Sequence, residues 1–246
     1  MTNRLRLVLF LCLTAMPAIS AEKNAFEIFH EANQLFDNGN YESAIIAYRR
    51  LLSQGYYNSD IHLNLGNSHF RNNQLGHSIF HYKKALELSP RDADIMFNLN
   101  YAREKVSDQV ENKASFWDRL LKPSESLGEK ESAYLFAGFF LSFLFLGIIR
   151  LYKKHDWLRL ARNILMTFTI FTALVVLKIV FFQETCGVVT SDEIKVYSGI
   201  GKDNTVLFVL HQGTEFIVTD STSDQWVKLD LADGKKGWAR SDGLAF

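Results

Sequence analysis

Four of the seven histidines, His62, His69, His77 and His81, fall in one short stretch, and His77 and His81 stand four apart. On a helix that spacing puts two imidazoles on one face, where they hold a metal ion if a Cys or a carboxylate completes the set. Nothing nearby completes it, so the four read as surface histidines. Cys12 sits inside an apolar run behind Leu11, where a lipid-attachment site wants a small residue, and once that run is cleaved off as an export signal Cys186 is left alone. A single thiol makes no internal disulfide and reads as a small packing residue. No Gly-rich phosphate loop, Ser-His-Asp set or Cys paired with a His is present, so the expectation is a protein without a reaction, a metal or a cofactor. What remains is a set of amides: Asn33 and Asn67 are separated by the same interval as Asn64 and Asn98. An amide both donates to and accepts from a peptide backbone.

That interval is the period of a repeat. GNYESAIIAYRRLL from Gly39 aligns with NQLGHSIFHYKKAL from Asn73, so that Ala44 falls on Ser78, Tyr48 on Tyr82 and Leu51 on Ala85. Small residues let paired helices approach, while the tyrosines and the apolar stripe fill the space between hairpins. The stretch resembles tetratricopeptide repeats through Leu65, Gly66, Tyr82, Ala85 and Pro90, departing from them in the first repeat at Glu31-Ala32 and Tyr56. A third first-helix from about Asp92 to Lys105, with Asp92 as N-cap, is expected to close the array. Two and a half repeats are few, and such an array is expected to lean on the membrane hairpin or on a partner. The resemblance implies a concave groove for an extended peptide, faced by Phe29, Asn33, Leu63, Asn67, Phe97 and Tyr101, with Asn64 and Asn98 nearby. The alternative is that the asparagines are solvated and the aromatics are core. No cluster of lysines and arginines for a terminal carboxylate is evident on this face.

The elements around the repeats assign its place. Residues 1–20 read as a secretory signal, with Arg4 and Arg6, an apolar core, and Ala18 and Ser20 before a cleavage point at Ala21; an uncleaved third span is the alternative. The repeat module then occupies 21–109. Residues 110–132 are polar and broken by Pro123 and Gly128; within them Phe116, Trp117, Leu120 and Leu121 suit a short helix at the membrane interface or one packed on the repeats. Two apolar runs, 133–152 and 164–182, each approach the roughly 20 residues of a spanning helix and form a transmembrane hairpin. The segment 153–163 between them is basic, which keeps such turns in the cytoplasm and sends both flanking modules to the other side. Trp157 is placed as an interfacial anchor, and Lys178 snorkels from the outer end of its span. The chain carries 27 basic and 27 acidic residues, but both soluble parts are more acidic than basic. Neither has the basic footprint of a nucleic-acid binder.

From Cys186 to Phe246 the hydrophobic period becomes two, with runs beginning at Cys186, Glu193, Thr205, Glu215 and Gln225 separated by Gly-containing turns. Short strands at this spacing indicate a small barrel. The module resembles bacterial SH3 domains through Val196 to Gly199, Gly213-Thr214, Trp226-Val227-Lys228 and Gly237-Trp238. Relatives of that kind either bind cell-wall peptide or pack on a neighbour; Tyr197 and Trp238 are candidate groove residues, and Trp226 is expected in the core.

The fold class expected is therefore a multi-domain membrane protein: an all-α tetratricopeptide-like module, a transmembrane helical hairpin and an all-β SH3-like barrel. The order of modules is similar to that of the BatE proteins of the Bacteroides aerotolerance operon. That resemblance implies a non-enzymatic scaffold in the bacterial inner membrane, both soluble modules periplasmic. Its partners would be membrane or periplasmic proteins, among them Bat proteins with von Willebrand A domains, beside membrane lipid. The competing reading is a tether to peptidoglycan through the barrel.

Overall fold

The computed structural model describes residues 24–108, 110, 129–153, 155–181, 185–223 and 225–246. The signal at 1–20 with Cys12, and nearly all of the 110–132 segment including Phe116, Trp117, Leu120 and Leu121, lie outside them. The chain divides into two compact units: repeats and barrel form one, the two long apolar helices the other.

The repeats are built from α1 (24–37), α2 (Tyr41–Ser53), α3 (Ser59–Arg71), α4 (Leu75–Leu88) and α5 (Ala93–Arg103). Their turns follow the period of the sequence. Gly39 and Asn73 occupy equivalent positions, both with φ in the left-handed region, at 77° and 59°; Gly and Asn are the residues that enter it at least cost. Asp92 caps α5 as expected, its carboxylate accepting from the N–H groups of Asp94 and Ile95 at 2.9 and 3.2 Å. The small positions expected at helix crossings, Ala44 and Ser78, are fully buried. Gly66 has the same function more sharply: a Cβ there would lie 2.6 Å from the ring of Tyr82, so only glycine lets α3 and α4 close.

The C-terminal module is a seven-stranded antiparallel sheet, β1 (Thr185–Val189), β2 (Glu193–Tyr197), β3 (Val206–His211), β4 (Glu215–Ser223), β5 (Trp226–Asp230), β6 (Lys236–Arg240) and β7 (Leu244–Ala245), in the order β3-β2-β6-β5-β4-β1-β7. Register shifts interrupt β2–β3 and β4–β5, the irregularities with which a short sheet bends on itself. Val189, Ile194, Val196, Leu210, Phe216, Leu229 and Ala239 fill its core. The last two strands were not among the expected runs. Gly237 weakens the strand signal of β6, but a Cβ there would meet Val196 Cγ1 at 2.5 Å, so the close crossing of β2 and β6 requires it.

The two modules are not separate. Val188 of β1 lies in one core with Ile79, Tyr82, Leu99 and Ala102 of the repeats. Gln212 Oε1 accepts from the backbone N–H of Leu75 at 2.7 Å, capping α4, whose own N-cap Gln74 makes no side-chain cap. Glu215 binds both Lys83, at 2.6 Å, and Arg103, at 2.6 and 3.0 Å. Burial pushes its carboxyl up, but the Arg103 hydrogen bond and the two cations outweigh that and hold it below the usual range. Asp108, just after α5, accepts from the His211 N–H and ring and from the Thr214 hydroxyl at 2.7, 2.7 and 2.6 Å. The short array leans on the barrel, a support that the expectation of a hairpin or a partner did not include.

In the second unit, α6 (Glu129–Tyr152) and α7 (Asp156–Phe181) are long and apolar enough to cross a membrane. Only 6% and 11% of their most apolar windows are buried, unlike core helices of a soluble domain. They pack through rings such as Phe139 and Phe168, whose centroids are 5.4 Å apart. The hydroxyls of Thr167, Thr169 and Thr172 return to carbonyls one turn back, which satisfies them within the helix in an apolar setting. Because α7 begins at Asp156, most of the basic 153–163 stretch is its first two turns rather than a loop.

Candidate functional site

Every first helix of the array contributes an asparagine to one of two equivalent bonded clusters, so that the pattern recurs from one repeat to the next. Tyr48 donates to Asn33 Oδ1 at 2.6 Å and Asn64 Nδ2 donates to the same oxygen at 3.2 Å. One repeat on, Tyr82 donates to Asn67 Oδ1 at 2.7 Å and Asn98 Nδ2 to that oxygen at 3.4 Å. Burial pushes both phenols up to about 12, so they remain donors at any ordinary pH. The Asn33 and Asn67 carbonyls are thereby filled, leaving their amide N–H groups, and the oxygens of Asn64 and Asn98, for anything outside.

The apolar positions expected on the same face separate. Phe29 and Leu63 are part-buried against the two repeat cores, Phe29 edge-on to Tyr48 at 6.0 Å. Phe97 and Tyr101 stay 70% and 44% exposed, α5 being the last helix of the array among the described residues. They stack at 6.4 Å with 7° between their planes, and Phe70 meets Tyr101 at 5.6 Å. Together with Phe36, Asn67, Arg71, Tyr82 and Asn98 these rings line a cavity of about 320 Å³, which suits one large side chain. Phe36, Phe70, Arg71 and Tyr82 were not foreseen in it, although Phe36 and Phe70 are themselves one repeat apart. Arg71 supplies a cation that the sequence did not show on this face. Its guanidinium lies 5.4 Å over the Tyr41 ring and has no carboxylate partner among the described residues.

On the barrel, Tyr197 pairs with Trp238 across β2 and β6, and Trp238 pairs with Lys228, whose ammonium lies 6.0 Å over the indole. Trp226 is buried and meets Tyr197 edge-on at 5.5 Å. Tyr197 and Trp238 are half-buried. Alternation puts this aromatic and cationic patch on the sheet face opposite Val227 and Leu229, and the polar bonds to the repeats described above involve none of it.

The four histidines are not on the surface. His62, His69 and His81 are buried and His77 is half-buried, between α3 and α4. The face of α3 opposite the groove has to meet α4, and these rings fill that meeting. No group of three or more His, Cys, Asp or Glu side chains suited to a metal ion occurs among the described residues. Cys186, expected as a packing residue, is exposed.

Two family profiles match parts of the chain. One described as a bacterial SH3 domain covers residues 192–245, and one described as a tetratricopeptide repeat covers residues 59–92. No curated protein matches the chain. The strand that enters the repeat core, β1, lies outside the SH3 match. Both kinds of module are typically non-catalytic binding modules: the repeat bears on protein–protein interaction and the SH3 domain on cell-wall binding.

Proposed function

We propose that the chain is a membrane-anchored, non-enzymatic scaffold of the BatE type, held by α6 and α7 in the bacterial inner membrane with repeats and barrel on the periplasmic side. An extended segment of a partner protein lies along the groove, one large side chain in the cavity beside Phe97 and Tyr101. Von Willebrand A-domain proteins of the same operon type are the partners that the resemblance suggests. The observation that carries this reading is the amide cluster that recurs in successive repeats and ends in open aromatic rings, since an extended backbone has its own repeating bond requirements. Contact between repeats and barrel supports this reading, since a hairpin would keep both on one side of the membrane.

The aromatic and cationic barrel face favours a second reading, attachment to peptidoglycan through Tyr197, Trp238 and Lys228. Cross-linking in native membranes tests both. Phe97→Ala with Asn98→Ala should lower recovery of protein partners several-fold at unchanged helix content, since each hydrogen bond contributes about 0.5–1.5 kcal/mol and the ring more. Trp238→Ala should leave recovery unchanged. Normal recovery with the groove variant, together with Trp238-dependent sedimentation on isolated sacculi, would transfer the function to the barrel.

A further inference from the structure

The buried histidines form a continuous stack. His62 and His81 lie 5.4 Å apart between centroids, His81 and His69 5.3 Å, and His69 and His77 5.0 Å, with 12° to 29° between planes. His62 Nδ1 and His81 Nδ1 face each other at 3.2 Å, which demands a proton on one and a lone pair on the other. His69 Nδ1 is 2.6 Å from Gln74 Oε1, and that oxygen only accepts, so the proton sits on Nδ1. Nε2 of His69 then carries the lone pair, fully buried and without a partner among the described residues.

We propose that this stack is a proton-operated gate on the groove: neutral imidazoles hold α3 and α4 together, and proton uptake drives the helices apart and dismantles the Asn67–Tyr82 wall. The inference rests on the groove being the partner site and names its regulation. A second proton on the His62–His81 pair sets two N–H groups against each other, and a proton on His69 Nε2 has no acceptor. The ionisable groups facing the stack do little to compensate. Arg49 of α2 acts on His69, His77 and His81, and Lys84 of α4 on His62. Among the described residues the one anion acting on the stack is Glu87, on His62, while Tyr57 contributes a ring at 6.2 Å. Burial first, with these cations, holds all four rings below their ordinary value, His69 at about 4. Transmission to the groove is short. Tyr82 follows His81 directly in the chain, packs on Gly66 between His62 and His69, and donates to Asn67 in the cavity wall.

Hydrogen exchange of the full chain in detergent micelles, corrected for intrinsic rates, reads the gate. Because an opened His69 titrates near 6.5 and a closed one near 4, opening of α3 and α4 should rise about 20-fold between about pH 7 and about pH 5, while β5 and β6 stay protected. A variant with His69→Gln and His81→Gln should lose most of that increase. An increase as large in the variant as in the parent overturns the proposal. If the variant fails to fold, imidazole NMR of the parent decides. Rings still neutral at about pH 6 that change only as the helices open support the gate, whereas ordinary titration without loss of protection overturns it. Partner recovery with the Phe97 and Asn98 variants is measured at about pH 7.5, where the stack is neutral, so failure of the gate and failure of the groove reading are distinguishable.

Discussion

Gly76→Ala puts one methyl into the seam between repeats and barrel. In the second position of α4, alanine alone favours the helix by up to about 1 kcal/mol over glycine. The new Cβ, however, would lie 2.1 Å from the Val189 carbonyl oxygen and 2.8 Å from Thr190 Cα. Both are backbone atoms, so no flexible side chain can give way, and the surfaces must part until the closest approach widens from 2.1 Å to the 3.4 Å of ordinary contact. Such a displacement stretches the 2.7 Å Leu75–Gln212 bond beyond hydrogen-bond range. Overpacking costs about 1–3 kcal/mol and the bond about 0.5–1.5, which together exceed the gain in helix propensity. A net loss of about 1–3 kcal/mol should lower the melting temperature of the full chain by about 3–10 °C. Circular dichroism at 222 nm follows the helices and tryptophan emission follows the barrel. Parent transitions should coincide, and the variant's should fall or separate. A stabilised variant with coincident transitions would refute the seam as described, because propensity would then have prevailed unopposed.

Two further outcomes follow from the same residues. Asn67→Ala should cost about 1–3 kcal/mol in urea unfolding by orphaning the buried Tyr82 hydroxyl, and combining it with Tyr82→Phe should cost no more, since the phenol then has nothing left to satisfy. At the seam, the hydrogen bond and charge of Asp108 raise the His211 ring above 6.5. Its support is complete below that value and fades as pH rises through the raised one. Asp108→Asn should therefore flatten the alkaline side of the stability profile, measured as melting temperature from about pH 6 to 9.

The helical repeat, the apolar pair and most strands were legible because each rests on a regularity: the interval between equivalent helices, continuous apolar length, and alternation. The repeat interval also located Asn33, Asn67, Asn64 and Asn98, and carried one step further it reaches Phe36 and Phe70. What it does not carry is saturation. That the Asn33 and Asn67 oxygens are occupied by tyrosines follows from distance, and nothing in composition separates a bonding amide from a bonded one. The histidines show the opposite failure: polarity suggested the surface, yet an imidazole is flat enough to stack in a helix crossing and needs no charge to remain there. The seam was out of reach because its contacts are long-range, with Leu75 and Gln212 separated by 137 positions. Gly76 has ordinary helical neighbours and reveals its tight fit only against a strand that lies beyond both apolar helices.

That separation sets an order of events during synthesis. The repeats leave the ribosome first with Ile79 and Leu99 waiting for Val188, a residue that arrives only after α6 and α7 have been made. Until then the end of the array is an unfinished surface, and in the membrane-anchored reading proposed above it is completed only when the two apolar helices have returned the C-terminus to the same compartment. An anchored chain with only one of the two helices across would keep that surface bare, with the Glu215 carboxylate in one compartment and its cations, Lys83 and Arg103, in the other. For the anchored hairpin proposed above, insertion of both helices and completion of the repeat core are thus one event.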